Sequence, residues 1–183
     1  MNWKEHSDLR EKHAFLGASK YAWLNYDKDK MVQTYLNHLA VQKGTELHEF
    51  AAQAIKLKQK LRLATKTLSM YVNDAIAFKM QPEQVLYYSE KCFGTADAIG
   101  FKDNLLRIHD LKTGTHKASF KQLQIYAALF CLEYSIEPES INMELRIYQS
   151  NAIRYDFPTP DHIRFIMERI VEYDKLLDDY WEE

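Results

Sequence analysis

The chain has 183 residues, 46% of them hydrophobic, with 24 basic against 26 acidic side chains and a formal net charge of -2. That length and apolar share suffice for one domain with its own core, and the near-neutral balance excludes a global attraction to polyanions, so any such contact must come from local clusters. No apolar run approaches the roughly 18 to 20 residues of a membrane span, and MNWKEHSDLREKH lacks the apolar core of a signal peptide, which makes the cytoplasm the expected location.

The first half reads as helices, expected over residues 18–26, 30–40, 44–57 and 67–78. In the third, Leu47, Phe50, Ala51, Ala54, Ile55 and Lys58 recur at helical spacing, which makes one side apolar and leaves His48 at its border. The stretch KLKQKLRLATK follows, where Lys56, Lys58, Lys60, Arg62 and Lys66 alternate with Leu57, Leu61 and Leu63. It is either a solvated helix end or a local basic surface. Pro82 closes the helical block, and residues 84–89 begin a first strand.

Residues 92–114, CFGTADAIGFKDNLLRIHDLKTG, read as a β-hairpin. Residues 93–101 alternate, Asp103-Asn104 is a turn signal, and residues 105–112 resume the strand. A turn centred between Asp103 and Asn104 sets position 97 opposite position 110, each the seventh residue out. Asp97 and Asp110 then become cross-strand neighbours, with Cβ atoms roughly 4.5 to 5.5 Å apart, where two carboxylates repel unless something positive sits between them. By parity Lys112 shares the face of Asp110, Leu111 points away with its carbonyl near the same spot, and Phe93, Ile99, Phe101, Leu106 and Ile108 share the carboxylates' face.

Ser119 is a candidate N-cap for a buried helix to about Tyr134 along Phe120, Leu123, Ala127, Phe130 and Tyr134, with Gln122 and Tyr126 on one stripe as i and i+4. Residues 143–149 and 151–157 alternate as strands, and Pro160-Asp161 opens a final amphipathic helix ending near Trp181. An acidic tail over residues 172–183 is expected to face solvent. Helices, three strands, a helix, further strands and a closing helix define an α/β or α+β layered domain. Cys92 and Cys131, 39 residues apart, are expected to be reduced packing residues.

At three of these places the chain resembles the RecB-like branch of the PD-(D/E)XK nuclease superfamily. Gly94-Thr95-Ala96-Asp97 stands as its Gly-x-x-Asp strand, Asp110-Leu111-Lys112-Thr113-Gly114 as its Asp/Glu-x-Lys-Thr-Gly, and Gln122-Leu123-Gln124-Ile125-Tyr126 as its helical Gln-x-x-x-Tyr. Gly44-Thr45-Glu46-Leu47-His48 matches the family's upstream helical His. Phe15-Leu16-Gly17-Ala18-Ser19-Lys20 looks like its N-terminal Ser-containing motif, with Gly17 where Ser is common. The resemblance spans roughly residues 15–135 and is strongest to small phage-type and CRISPR-associated RecB-like exonucleases. It implies a restriction-endonuclease-like core in one domain, a small mixed sheet flanked by helices after a helical N-terminal region. Two cysteines cannot supply the four-cysteine iron-sulfur cluster of the CRISPR-associated members within one chain.

The implied chemistry is metal-assisted phosphodiester hydrolysis, with His48, Asp97, Asp110 and the Leu111 carbonyl holding one or two Mg²⁺ or Mn²⁺ ions. Lys112 would orient the nucleophile or stabilise the phosphate, and Gln122 and Tyr126 would position the strand being cut. One of Glu46, Glu49 and Glu90 would complete an outer metal shell. Tyr21, Trp23, Tyr87 and Tyr88 could stack unpaired bases, although core packing is the expected role of most. The implied partners are DNA with a free end and a recombinase or single-strand-binding protein, in phage-type recombination, replication or repair within a bacterial or phage-infected cell. A non-catalytic DNA-binding subunit and an endonuclease or CRISPR-adaptation nuclease are the alternatives.

Overall fold

The computed structural model describes residue 7, residues 13–62 and residues 65–178. Leu63, Trp181 and the end of the acidic tail lie outside the described residues. The chain falls into two compact units, Met1–Thr45 and Glu46–Glu183. In the first, a short 3-10 segment, Ala18–Asn25, is broken at Lys20 and holds Ser19. The Trp23 indole donates to the Gly17 carbonyl at 3.1 Å, and Phe15 meets Tyr35 edge-on at 5.0 Å.

Helix α1, Lys28–Lys56, runs through the division between the units. The sequence suggests two helices here, yet residues 41–43 contain no breaker and one internal glycine, Gly44, costs only about 1 kcal/mol. Within the second unit α1 buries Ala51, Ala52, Ala54 and Ile55, whereas Phe50, expected on the apolar side, is 49% exposed. Helix α2, Thr67–Ala77, follows, and then strand β1, Gln81–Ser89. Pro82 lies inside β1, not before it. β1 is an edge strand, where a residue without an N–H is tolerated.

Strands β2, Cys92–Lys102, and β3, Leu105–Lys112, form the hairpin. Asp103 and Asn104 both take positive φ, 52° and 57°, as a two-residue turn requires, and the register runs from Lys102 with Leu105 to Ala98 with His109. Helix α3, Lys121–Tyr134, crosses to β4, Asn142–Gln149, which pairs parallel to β3, and β5, Ala152–Asp156, returns antiparallel. The Ser119 hydroxyl accepts the Lys121 N–H at 3.2 Å, but the residue flanking α3 is Phe120. Helix α4, Pro160–Asp178, closes the described chain.

The result is a mixed five-stranded sheet in sequential order between helical layers, an α+β layered core. One core lies on the α3 and α4 side, built on Leu86, Ile99, Leu106, Ile108, Leu123 and Ile163. The other lies on the α2 side, with Ala54, Tyr71, Val72, Ala98, Leu111 and Tyr148. Cys131 belongs to the first and Cys92 packs against it, both as free thiols; burial pushes Cys131 up to about 11. Of the aromatics assigned to packing, Tyr88 lies against this core, whereas Tyr21, Tyr87 and Tyr134 are exposed. The acidic end of α4 is not merely solvated. Asp174 bonds the Ser89 hydroxyl, and with Asp178 it pairs with Lys91. Among the described residues no helix is long and apolar enough to cross a membrane.

Candidate active site

Two local irregularities build the site, which lies wholly within the second unit. In the β1–β2 ladder Pro82 pairs with Ala98 and Gln84 with Ala96, but Glu83 and Asp97 between them do not pair, and Glu83 has φ 51°. Side-chain alternation slips there. A Cβ on Gly94 would meet Tyr126 of α3, whereas one on Gly100, of the same parity, would meet Met80 of the opposite core. The uniform face that strict alternation predicts for Phe93, Asp97, Ile99 and Phe101 is therefore broken. Ile99 is buried on the α3 side, Phe101 reaches Phe130 there at 5.2 Å, and Phe93 is 62% exposed.

The second irregularity is a fork. The β2–β3 ladder ends at Ala98 and His109, although both strands continue. Into the opening comes Asp97, whose Oδ2 accepts the Leu111 N–H at 2.9 Å and lies 3.3 Å from His48 Nδ1 on α1. Strand β3 stays straight because β4 pairs with it as far as Lys112 and Gln149. Asp110 keeps the parity of Leu106 and Ile108, on the α3 side. The expected cross-strand pair of Asp97 with Asp110 is therefore not formed in the ladder: Asp97 turns to His48 and the Leu111 N–H, and Asp110 to Lys112.

Asp110 is almost wholly buried. Its Oδ1 pairs with Lys112 Nζ at 3.0 Å, and its Oδ2 is buried with no hydrogen-bond partner. Lys112 Nζ also donates to Gln122 Oε1 at 3.0 Å, and Gln122 Nε2 donates to the Tyr126 hydroxyl at 3.0 Å. Asp110, Lys112, Gln122 and Tyr126 are therefore one hydrogen-bonded chain from strand to helix. Buried Gln149 fixes the turn after it, donating to the Gly114 and His116 carbonyls at 2.7 Å. Gly94 makes room for the chain's far end, since a Cβ there would lie 2.8 Å from Tyr126 Cε1.

Ligand atoms of His48, Glu83 and Asp97 lie within 4.8 Å of one another. Glu83 is the member that sequence reasoning misses. Glu46, Glu49 and Glu90 are exposed and outside this group, and Glu90 sits at the β1–β2 turn, seven positions or roughly 23 Å of strand away. Buried Tyr71 was also unassigned. Burial, then the charges of Asp97, Glu83 and Asp110, push its hydroxyl far above the usual tyrosine range. Leu111 contributes its N–H to Asp97, and its side chain packs in the α2-side core.

The electrostatics mark a shortage of positive charge. Burial first, and then Asp97, raises the Asp110 carboxyl against the pull of Lys112; burial and Asp97 likewise raise Glu83. The hydrogen bond from Asp97 raises His48 against desolvation. Three carboxyls, one of them with an unpartnered buried oxygen, and one imidazole fit a hard divalent cation of the Mg²⁺ or Mn²⁺ kind.

A pH dependence follows. His48 has its folded pKa above its unfolded value, so its pairing with Asp97 stabilises the fold fully below about pH 6.5 and is lost as pH rises through the folded pKa. In EDTA the melting temperature of the wild type relative to His48→Gln is expected to fall as pH rises above about 6.5. Mn²⁺, which needs the neutral imidazole, is expected to reverse that fall. Buried His109, whose pKa is pushed well down, is common to both proteins and cancels in the difference. A difference independent of pH in both media would refute the linkage.

Comparison with protein-family models, curated proteins and solved structures finds no match to this chain.

Proposed function

We propose that the chain is a divalent-metal-dependent nuclease of the RecB-like PD-(D/E)XK type, an exonuclease hydrolysing phosphodiester bonds in DNA during phage-type recombination, replication or repair. The observation that carries this reading is the meeting at one fork of the carboxylate-imidazole group with the chain Asp110, Lys112, Gln122 and Tyr126. A purely binding protein has no need for that set together. His48, Glu83 and Asp97 would hold the cation, with the free Oδ2 of Asp110 beside them. A cation bound there would neutralise phosphate charge and acidify water.

The chain's own groups divide the remaining work. Lys112, fixed between Asp110 and Gln122, keeps its ammonium where it can orient the attacking water or meet charge developing on the phosphate. Gln122 and the Tyr126 hydroxyl hold the strand against α3. Asp110 holds Lys112 in place, and its second oxygen, which has no hydrogen-bond partner, would be free for the cation.

The reading is tested with end-labelled single- and double-stranded DNA of both polarities in Mg²⁺, Mn²⁺ or EDTA. Cleavage is expected with either metal and none in EDTA. Binding without cleavage in every condition would point to a non-catalytic DNA-binding subunit. The reading includes a need for a free DNA end, with contacts to the backbone and none to base sequence. Linear DNA is expected to be degraded in Mn²⁺ while closed circles of the same sequence persist. Equal rates on both would favour the endonuclease reading.

A further inference from the structure

Helices α1 and α2 end in the same way. At α1 the Lys58 N–H bonds the Ile55 carbonyl at 3.0 Å and the Gln59 N–H bonds Ala54 at 2.9 Å. At α2 the Lys79 N–H bonds Ile76 at 3.1 Å and the Met80 N–H bonds Ala75 at 2.9 Å. Both are Schellman ends, and the left-handed position, φ 55° in each, holds a lysine where glycine or asparagine fits best. Sequence preference is overridden twice, at two ends that line one groove.

That groove, about 560 Å³, is lined by Lys56, Lys58 and Lys79 with Ile76, Gln81 and Pro82 along its walls, and no acidic side chain lines it. None of the three lysines forms an ion pair among the described residues. Two helix C-termini carry about half a negative charge each, so three ammoniums leave the groove strongly positive in a chain of net charge -2. Its wall ends at Pro82, and the next residue is Glu83 of the candidate metal centre. The run KLKQKLRLATK is thereby divided: Lys56 and Lys58 line the groove with Lys79, and Lys60, Arg62 and Lys66 do not.

We propose that this groove binds the sugar-phosphate backbone of the nucleic acid strand beside the metal centre, through Lys56, Lys58 and Lys79. The inference rests on the nuclease reading and names a strand-guiding subsite for it. Binding here is to phosphate, so it is independent of base sequence and steep in salt.

The test uses fluorescence anisotropy of a labelled ten-nucleotide oligothymidylate in EDTA, titrated over salt concentration. The variant combining Lys56→Gln, Lys58→Gln and Lys79→Gln is expected to bind about tenfold more weakly, with a log-log salt slope shallower by about 2. Its Mn²⁺ affinity by calorimetry is expected to be unchanged, and Lys175→Gln on α4 to leave oligonucleotide binding unaltered. The variant combining Lys58→Gly with Lys79→Gly is expected to melt no lower than the wild type while binding more weakly. A helix-capping role alone predicts unchanged binding, and that result overturns the proposal. Displacement of the oligonucleotide by millimolar inorganic phosphate also overturns it, because the groove would then hold an isolated anion and not a strand. If the glutamine variant binds as the wild type does while the wild type still cleaves DNA, the groove assignment fails and the nuclease reading stands. A wild type that neither binds nor cleaves removes both.

Discussion

Lys112→Ala is expected to lower DNA cleavage by at least 10²- to 10³-fold while leaving Mn²⁺ affinity within a few-fold of the wild type. An ammonium is not a metal ligand. It lies 3.0 Å from Asp110 Oδ1 and 3.0 Å from Gln122 Oε1, so its loss removes the positive charge that the proposed reaction would use at the phosphate and frees one more carboxylate oxygen. Freed of its partner, Asp110 attracts a cation no less strongly than before. Asp97→Ala is expected to act differently, because it removes a member of the ligand group and the acceptor for the Leu111 N–H together. Asp110→Ala removes the unpartnered buried oxygen. Both are expected to weaken metal binding itself, and calorimetric titration of the three variants separates the roles. Equal loss of metal in all three would contradict this division of labour.

The hairpin was legible because its turn chemistry and its register agree. Asp103 and Asn104 tolerate the left-handed backbone of a two-residue turn, and counting outward from them places every β2–β3 pair down to Ala98 with His109. The layered class was legible from the order of periodicities, since a helical period, a strand period and a helical period again leave few arrangements. Helix α1 was misread for a local reason: Gly44 looks like a boundary, yet a single glycine does not stop a helix whose C-terminal half is held by burial.

Glu83 was illegible for a physical reason. The β1–β2 turn brings Ser89 opposite Cys92, and simple counting from that pair sets Gln84 opposite Asp97. An irregularity between Tyr87 and Ser89 moves the register by one, so that Pro82 pairs with Ala98 and Gln84 with Ala96, and Glu83 falls between them beside Asp97. A bulge carries no turn residue to announce it, and a shift of one residue reverses every side-chain direction. The separate break at Glu83 and Asp97, where neither residue pairs and Glu83 takes positive φ, explains why Phe93 and Ile99, of equal parity, part company. Asp97 could be located by counting, but its direction toward His48 depended on this break.

Gly94→Ala is expected to reduce cleavage by about 10²-fold without unfolding the protein or weakening Mn²⁺ binding. The added methyl would lie 2.8 Å from Tyr126 Cε1, closer than carbon atoms approach, so either the ring or β2 must move. Tyr126 is the softer partner, because its ring sits half-buried at the edge of the α3-side core while Gly94 is held in the β1–β2 ladder opposite Leu86. Moving the ring breaks the bond from Gln122 Nε2 to the Tyr126 hydroxyl, and Gln122 is what holds Lys112 from the α3 side. The effect therefore reaches the ammonium through two hydrogen bonds, and the candidate cation ligands His48, Glu83 and Asp97 are untouched. A double-mutant cycle tests this route. If Gly94 acts by leaving room for Tyr126, then Gly94→Ala combined with Tyr126→Ala costs no more than Tyr126→Ala alone. Additive losses would mean that the methyl damages the site by another path, through β2 and Asp97, and calorimetry would then show weakened Mn²⁺ binding as well.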